Sequence, residues 1–444
     1  MVSWNLPAEV VTWISGMAAL LHRRLAWRLL PLLAGALFAQ GRKTVASWLR
    51  GGQLGDDFKS YYYFLGSLGR HVKSLAAVLL RVAVQVIVPG DRLLFALDDT
   101  PTQRAGPHVE GAGIHHNPTP GPAQQQFLYG HVWVTLSWVV RHGWWGTIGL
   151  PLLALLYVRH KDVGKIVPWY KVKFHSKLEQ GAALLEWAVQ TLRSLGKTLW
   201  AVADGAYAKR PFLQRAQRAG VVVVSRLRKD AALWSVPQAI KPGQRPKGRP
   251  RKYGQQAISL AKRAGHRHGW QSGDFVLYGA TVRKTYKTFL ATYKPAAGLI
   301  RVVLVKEPDR WVAYFCTQAE ATVQDILEAV ADRAAIEQNF HDLKEVHGAG
   351  QQQLRNYWAN IAAYHVTMWW HTLIELWAWH KPHRKLSDRS ASPWDDPSRR
   401  PSHADRRNAM RRQCLENEFQ HAHAHSTLTP KIRRLWHRLV KLVA

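Results

Sequence analysis

The sequence predicts an α/β protein: a mixed sheet flanked by helices, with a helical N-terminal region, a strand-rich insertion and a basic C-terminal tail. Three observations carry this expectation. The hydrophobic pattern switches from helical to strand periodicity at Asp91. From there to residue 227 it reads three strands, helix, strand, helix, strand. A second group of strand-like runs then precedes two long helical patterns. The 444 residues suffice for about two to four structural units. A hydrophobic share of 47% excludes a disordered polycation.

Residues 1–88 read as a helical, DNA-binding region, with Leu, Ala and Val at helical spacing among Arg and Lys. Within it, Gly41 to Arg50 reads as a turn feeding a short basic helix capped by Thr44. Arg42 and Lys43 are therefore candidate DNA contacts, though the helix reads equally well as a basic packing helix. Residues 89–227 begin the sheet. Leu93 to Leu97 is a short apolar strand that stops at Asp98-Asp99-Thr100, and a Gly/Pro/His/Gln-rich loop follows from Gly106 to Gln126. Val132 to Val140 alternates, and Thr147 to Val158 is nearly continuous apolar strand. Lys177 to Leu195 is a helix with Leu184, Leu185, Ala188 and Leu192 on one face. Leu199 to Ala203 is a strand ending at Asp204; Arg210 to Ala219 is a short helix, and Val221 to Val224 another strand.

Residues 228–318 hold a basic linker and the insertion. In the linker, Lys247, Arg249, Arg251 and Lys252 are candidate DNA contacts, and Arg249 and Arg251 flank Pro250 like a minor-groove hook. A solvated loop explains the stretch equally well. Strands are expected at Phe275–Val282, Thr288–Tyr293, Leu299–Lys306 and Trp311–Cys316. Residues 319–380 carry a long helix from Ala321 to Val346 and a Trp-dense helix from Asn356 to Trp379. Most of the 21 Trp read as core, with Trp358 a candidate for stacking on an unpaired base. Residues 381–444 read as a basic tail that regains helical character from Pro430; His421, His423 and His425 read there as solvated surface rather than a metal tract.

The chain has 62 Lys and Arg against 29 Asp and Glu, a net charge of +33. Such a surface attracts polyanions, of which nucleic acid is the commonest for a soluble protein. No run reaches the about 20 apolar residues a membrane helix needs, so no membrane partner is expected. Cys316 and Cys414 alone make neither a disulfide framework nor a zinc knuckle. A cytoplasmic, nucleoid-associated protein is the natural reading.

Against this charge the few acids stand out. Asp98 and Asp204 each follow an apolar strand, where a carboxylate is exposed at the edge of a buried sheet. Either alone is equally a turn or N-cap residue. On the helix from Ala321, Arg333, Glu337 and Lys344 project within roughly 40° of one another at about 100° per residue. Ile326, Val330 and Phe340 fall in or beside that arc, so these charges are expected in the buried stripe, where they must be paired, ligated or lining a cleft. Asp332 and Asp342 project away from it, Glu345 is a weaker candidate than Glu337, and an Arg333–Glu337 ladder is the competing reading. Three carboxylates without Cys or His suit Mg²⁺ or Mn²⁺. Two such ions about 3.5–4 Å apart support in-line phosphodiester displacement, and Arg333 or Lys344 would hold a phosphate.

Three segments now carry a resemblance: Leu97-Asp98-Asp99-Thr100, Val202-Ala203-Asp204-Gly205-Ala206-Tyr207, and Arg333 through Glu337 to Lys344. With these the chain resembles a DDE transposase of bacterial insertion sequences, built on an RNase H-like core, over roughly residues 40 to 375. In one large branch the third segment has Tyr three residues before the Arg; Val330 stands there here. The resemblance implies that Asp98, Asp204 and Glu337 ligate two divalent ions, Mg²⁺ or Mn²⁺, with Asp99 as the fallback for the first acid. It implies double-stranded DNA as partner, a dimer or larger synaptic assembly, and cutting at terminal inverted repeats followed by strand transfer. A transposase-derived repressor without catalysis, or a same-fold endonuclease without strand transfer, are the alternatives.

Overall fold

Helices α1 (Ala8–Ala18), α2 (Arg23–Ala26), α3 (Leu29–Phe38), α4 (Val45–Gly51) and α5 (Phe58–Ile87) precede the sheet. The computed structural model describes residues 4–117, 125–238, 248, 251–389, 394–396, 398–422, 429, 430, 432, 433, 436, 439 and 440. Thr44 caps α4 by accepting from the Ser47 amide. Along α5 the buried residues Tyr61, Phe64, Leu65, Leu68, Val72, Leu75 and Leu79 recur at helical spacing, which lays one face on the protein interior.

The sheet follows with β1 (Arg92–Gln103), β2 (Gly113–His116), β3 (Phe127–His142) and β4 (Gly146–Tyr157). Then come α6 (Lys177–Leu192), β5 (Thr198–Ala203), α7 (Arg210–Arg218), β6 (Val222–Leu227), β7 (Leu233–Trp234), β8 (Ala257–Ile258) and α8 (Leu260–Gly265). After these run β9 (Gln271–Leu277), β10 (Ala280–Tyr293), β11 (Gly298–Lys306) and β12 (Trp311–Cys316). The chain closes with α9 (Val323–Asp332), α10 (Ala334–Glu345), α11 (Tyr357–Ala378), α12 (His383–Leu386) and α13 (His403–Ala422). This is the expected RNase H-like α/β architecture: antiparallel β4, β3 and β1, then parallel β5 and β6 beside β1.

The later strands do not stand apart from that core. β12 pairs antiparallel with β6, from Ala313 opposite Leu227 to Cys316 opposite Val224, so β12, β11 and β10 extend the same sheet. The expected strand at Phe275–Val282 is instead a hairpin corner between β9 and β10. Tyr278 and Gly279 turn there with φ of 55° and 80°, the left-handed pair that a tight hairpin turn requires. The loop expected from Gly106 to Gln126 contains the short strand β2, held to β3.

Two further expectations are corrected. The single helix from Ala321 to Val346 is two, α9 and α10, meeting at Arg333. Part of the expected tail is the helix α13, whose Ala409, Met410, Cys414 and Leu415 are buried together with Arg406, Arg407 and Arg411. Arg406 bonds Glu375, and Arg407 donates to the Leu37 carbonyl. His423 and His425 lie outside the described residues; His421 is exposed at the end of α13.

At the centre lies α11, buried on every side except at Trp358, as a helix apolar all round must be. It packs along α5, where Gly69 lets the backbones meet: a Cβ there would overlap the Trp358 carbonyl. Among the described residues no helix is long and apolar enough to cross a membrane.

Candidate active site

β1 and β5 run parallel, and their last registered pair is Leu97 opposite Ala203. The next residue of each is an aspartate, so Asp98 and Asp204 stand side by side where β5 leaves the sheet. β1 does not stop at Asp98, as the sequence suggested. Its other neighbour, β3, stays paired as far as Gln103 opposite Gly130 and carries the polar residues onward. Asp204 turns into a short 3₁₀ segment and caps it, accepting from the Ala206 amide at 3.3 Å.

The pleat separates the two candidate first acids. Ala96, with Val202, packs against Ile326 and Ile336 of α9 and α10, whereas Leu97 packs into the core that includes Leu184 of α6. Asp98 follows the parity of Ala96 and meets Arg333, whose Nη1 donates to Oδ2 at 2.7 Å. Asp99 faces the other way, taking Lys177 Nζ at 2.5 Å and the Tyr207 hydroxyl at 3.4 Å.

Arg333 sits at the break between α9 and α10, and its Nη2 donates to Glu337 Oε1 at 2.7 Å. One guanidinium thus spans Asp98 on the sheet and Glu337 on the helix. The expected buried arc of Arg333, Glu337 and Lys344 is not observed: the Glu337 side chain is 61% exposed. The buried acids of these helices are Glu328, Asp332 and Asp342; Glu328 and Asp332 both meet Arg141 of β3. Asp332 accepts from Arg141 at 2.8 Å and from the Thr147 hydroxyl at 2.7 Å. Asn339, also buried, donates to the Gly149 carbonyl at 2.9 Å. The Asp332 contacts dock the end of α9 on β3 and β4, and the Asn339 contact docks α10 on β4; together they determine where Glu337 is presented.

Burial, opposed by Arg333 and by the Asp99 amide and reinforced by the charges of Asp99 and Asp204, pushes the Asp98 carboxyl up to about 6. Burial, then the neighbouring Asp99, raises Tyr207 well above the ordinary tyrosine range, so it remains a neutral donor. Asp204 faces a cleft of about 510 Å³ lined also by Arg226, Arg228, Lys229 and Asp230. Asp98, Asp204 and Glu337 offer oxygen donors, the type a hard cation such as Mg²⁺ or Mn²⁺ takes, but among the described residues the three do not close into one metal-sized group. The raised Asp98 pKa is chiefly the mark of a carboxyl held out of water, with the charges of Asp99 and Asp204 adding to it.

The remaining predicted residues are dispersed. Lys344 is half-buried further along α10, and burial lowers its pKa; among the described residues no hydrogen bond or ion pair joins it to the acids. Glu345 is exposed and Val330 half-buried. Arg42 is exposed and lines a cleft of about 740 Å³ shared with Arg104, His108 and Arg355. Lys43 is half-buried, and burial with Arg407 and Arg411 brings it down to about 8. Arg251 and Lys252 are exposed; Lys247 and Arg249 lie outside the described residues. Trp358 is half-buried against the Tyr357 and Tyr170 rings.

Sequence reasoning missed Lys177, whose only signal was its place at the start of a predicted helix. It passed over Tyr207 although that residue closes the Asp204 motif. It also missed the buried group Asp342, His371 and His403, whose members are far apart in sequence.

Residues 17–273 match the DDE superfamily endonuclease family, and residues 177–371 match the transposase DDE domain. The first span contains Asp98 and Asp204; the second contains Asp204 and Glu337. No curated protein matches the chain.

Proposed function

Because the chain belongs to the DDE superfamily of endonucleases, a family of nuclease-type catalysis on DNA, we propose that it is a transposase. In this reading it binds the terminal inverted repeats of its element, cuts there, and joins the freed 3′-OH to target DNA. Asp98, Asp204 and Glu337 would hold two divalent ions, Mg²⁺ or Mn²⁺. Such ions activate an attacking oxygen and stabilise the leaving one. The observation that carries the proposal is the single guanidinium of Arg333 bridging Asp98 and Glu337 beside Asp204.

The protein's own groups supply the rest. Arg333 holds the Asp98 and Glu337 carboxylates; with ions held by those carboxylates, its charge would be available to a DNA phosphate, for which the planar guanidinium is suited. Lys177 and Tyr207 fix Asp99 on the opposite face and keep it out of competition with Asp98. The cleft carrying Arg42, Arg104 and Arg355, with exposed Arg251 and Lys252, offers positive charge for the backbone of a duplex. Two ends must be held together for transposition, so a dimer or larger assembly is part of the proposal.

The test uses purified protein, DNA carrying its own element ends, and Mg²⁺ or Mn²⁺, beside Asp98→Ala, Asp204→Ala and Glu337→Ala. Cleavage and joining by wild type, lost in each variant with DNA binding retained, is the expected result. Binding without cleavage by wild type would favour a transposase-derived repressor. Cleavage without joining would favour an endonuclease, and activity surviving Glu337→Ala would remove the third ligand.

A further inference from the structure

About 140° around α10 from Glu337, a second set of donors is buried between α10, α11 and α13. A carboxylate oxygen of Asp342 and imidazole nitrogens of His371 and His403 lie within 4.8 Å of one another. Asp342 Oδ2 is 3.5 Å from His371 Nε2, and the His371 and His403 rings stack with centroids 4.0 Å apart. His403 Nδ1 is bonded to Glu375 Oε1 at 2.5 Å, while its Nε2 meets Nε2 of buried His347 at 2.8 Å. Arg406 holds the same Glu375 oxygen through Nε and Nη2. Yet His371 Nδ1 and Glu375 Oε2 have no hydrogen-bond partner, although these residues are only 2% and 0% exposed. Buried polar atoms of this kind call for a ligand or another explanation.

We propose that Asp342, His371 and His403 bind a zinc ion, with His347 as the fourth donor. Three imidazoles and one carboxylate suit a borderline cation such as Zn²⁺, not the hard ions that fit the acid trio. Around a tetrahedral zinc with bonds of about 2.1 Å, donor atoms stand about 3.4 Å apart, close to the 3.5 Å between Asp342 and His371 and wider than the 2.8 Å between His403 and His347, which would part to admit the ion. Glu375 engages Nδ1 of His403 and leaves Nε2 for the ion, the carboxylate–histidine pairing that orients metal-bound imidazoles. Four protein donors make this a closed, structural site. A cavity of about 290 Å³ lined by Thr147, Asn339, Asp342, His371, Glu375 and His403 gives the ion a way in. The ion would clasp α13 and α11 to α10 one and a half turns beyond Glu337. The inference is independent of whether the acid trio cuts DNA.

The experiment uses the full chain. Metal analysis of protein purified and dialysed against Mg²⁺ buffer should give about one zinc per chain, as four protein donors imply. The zinc should be retained by the Asp98→Ala/Asp204→Ala/Glu337→Ala triple variant and lost from His371→Ala and His403→Ala. Co²⁺ added to metal-stripped wild type should give the intense visible bands of a tetrahedral ion, bleached by Zn²⁺; this arm needs no variant to fold. Glu375→Gln should keep the bands but weaken affinity 10–100-fold, the usual effect of removing such a partner. Wild type that holds no zinc and gives no tetrahedral Co²⁺ spectrum would overturn the proposal in favour of a proton-bonded network. Stoichiometric zinc in folded His371→Ala would overturn it equally.

Discussion

Asp98→Asn should make the metal-free protein more stable while abolishing the proposed chemistry. The carboxyl stands at about 6 in the folded chain against an ordinary 3.8, chiefly through burial, with Arg333 opposing. Two pKa units correspond to about 3 kcal/mol at 1.36 kcal/mol per unit. A raised acid stabilises the fold only while protonated. Its contribution is therefore complete below pH 4 and lost as pH rises through 6. Asparagine is neutral throughout and escapes this loss. In EDTA, urea unfolding followed by Trp fluorescence should show the variant gaining about 3 kcal/mol on wild type between pH 4 and pH 7.5. Mg²⁺ nearly cancels the advantage, because only wild type gains from the ion, by about 2.7 kcal/mol at a hundred times its Kd. If Asp98→Asn were the less stable protein at pH 7.5 in EDTA, the Arg333 pair would outweigh burial. Desolvation would then not be the dominant influence on Asp98.

Three other outcomes are expected. Arg333→Gln removes the charge that opposes burial at Asp98, so in EDTA the pH-dependent loss of stability should extend above pH 6; an unchanged profile would show that the guanidinium does not reach the carboxylate in solution. Asn339→Ala leaves the Gly149 carbonyl unpaired beneath α10 and should cost about 1–3 kcal/mol in urea unfolding, with cleavage falling further than DNA binding because Glu337 rides on that helix. Gly69→Ala drives a Cβ into the Trp358 carbonyl and should cost at least about 1–3 kcal/mol; a neutral result would mean that α5 and α11 can part freely.

Periodicity made the strands and helices of residues 89–227 legible, because each buries a regular apolar set that needs no knowledge of its partner. What required a partner was not. The run Asp98-Asp99-Thr100-Pro101-Thr102-Gln103 has no apolar alternation, yet it remains strand because β3 supplies the ladder. Helix α13 reads as a polar tail because its buried arginines depend on distant partners, Arg406 on Glu375 as well as the nearby Pro401 carbonyl, and Arg407 on the Leu37 carbonyl. The cluster of Asp342, His371 and His403 is invisible for the same reason: three helices bring its members together. Glu337, expected in the buried stripe, instead faces solvent.

That difference has a geometric cause. At about 100° per residue, Ile326 and Ile336 on one straight helix would lie about 80° apart, so the sheet could bury both only at the margins of the stripe. The chain resolves this by breaking at Arg333, where the Ile336 amide reaches the Arg333 carbonyl at 3.0 Å in a tighter turn. Each half then seats its own isoleucine, both fully buried. The Arg141–Asp332 pair holds the break on the sheet side. The residue at the corner is the one whose side chain can reach both β1 and the outer face of α10, and it carries the positive charge that two carboxylates require. The same re-registration that lets two short helices pack on one sheet turns Glu337 out toward solvent and brings it, through Arg333, to Asp98. The sequence reading assumed a straight helix and so placed the charge inside it. The break leaves Glu337 at an exposed corner, open to solvent and ions.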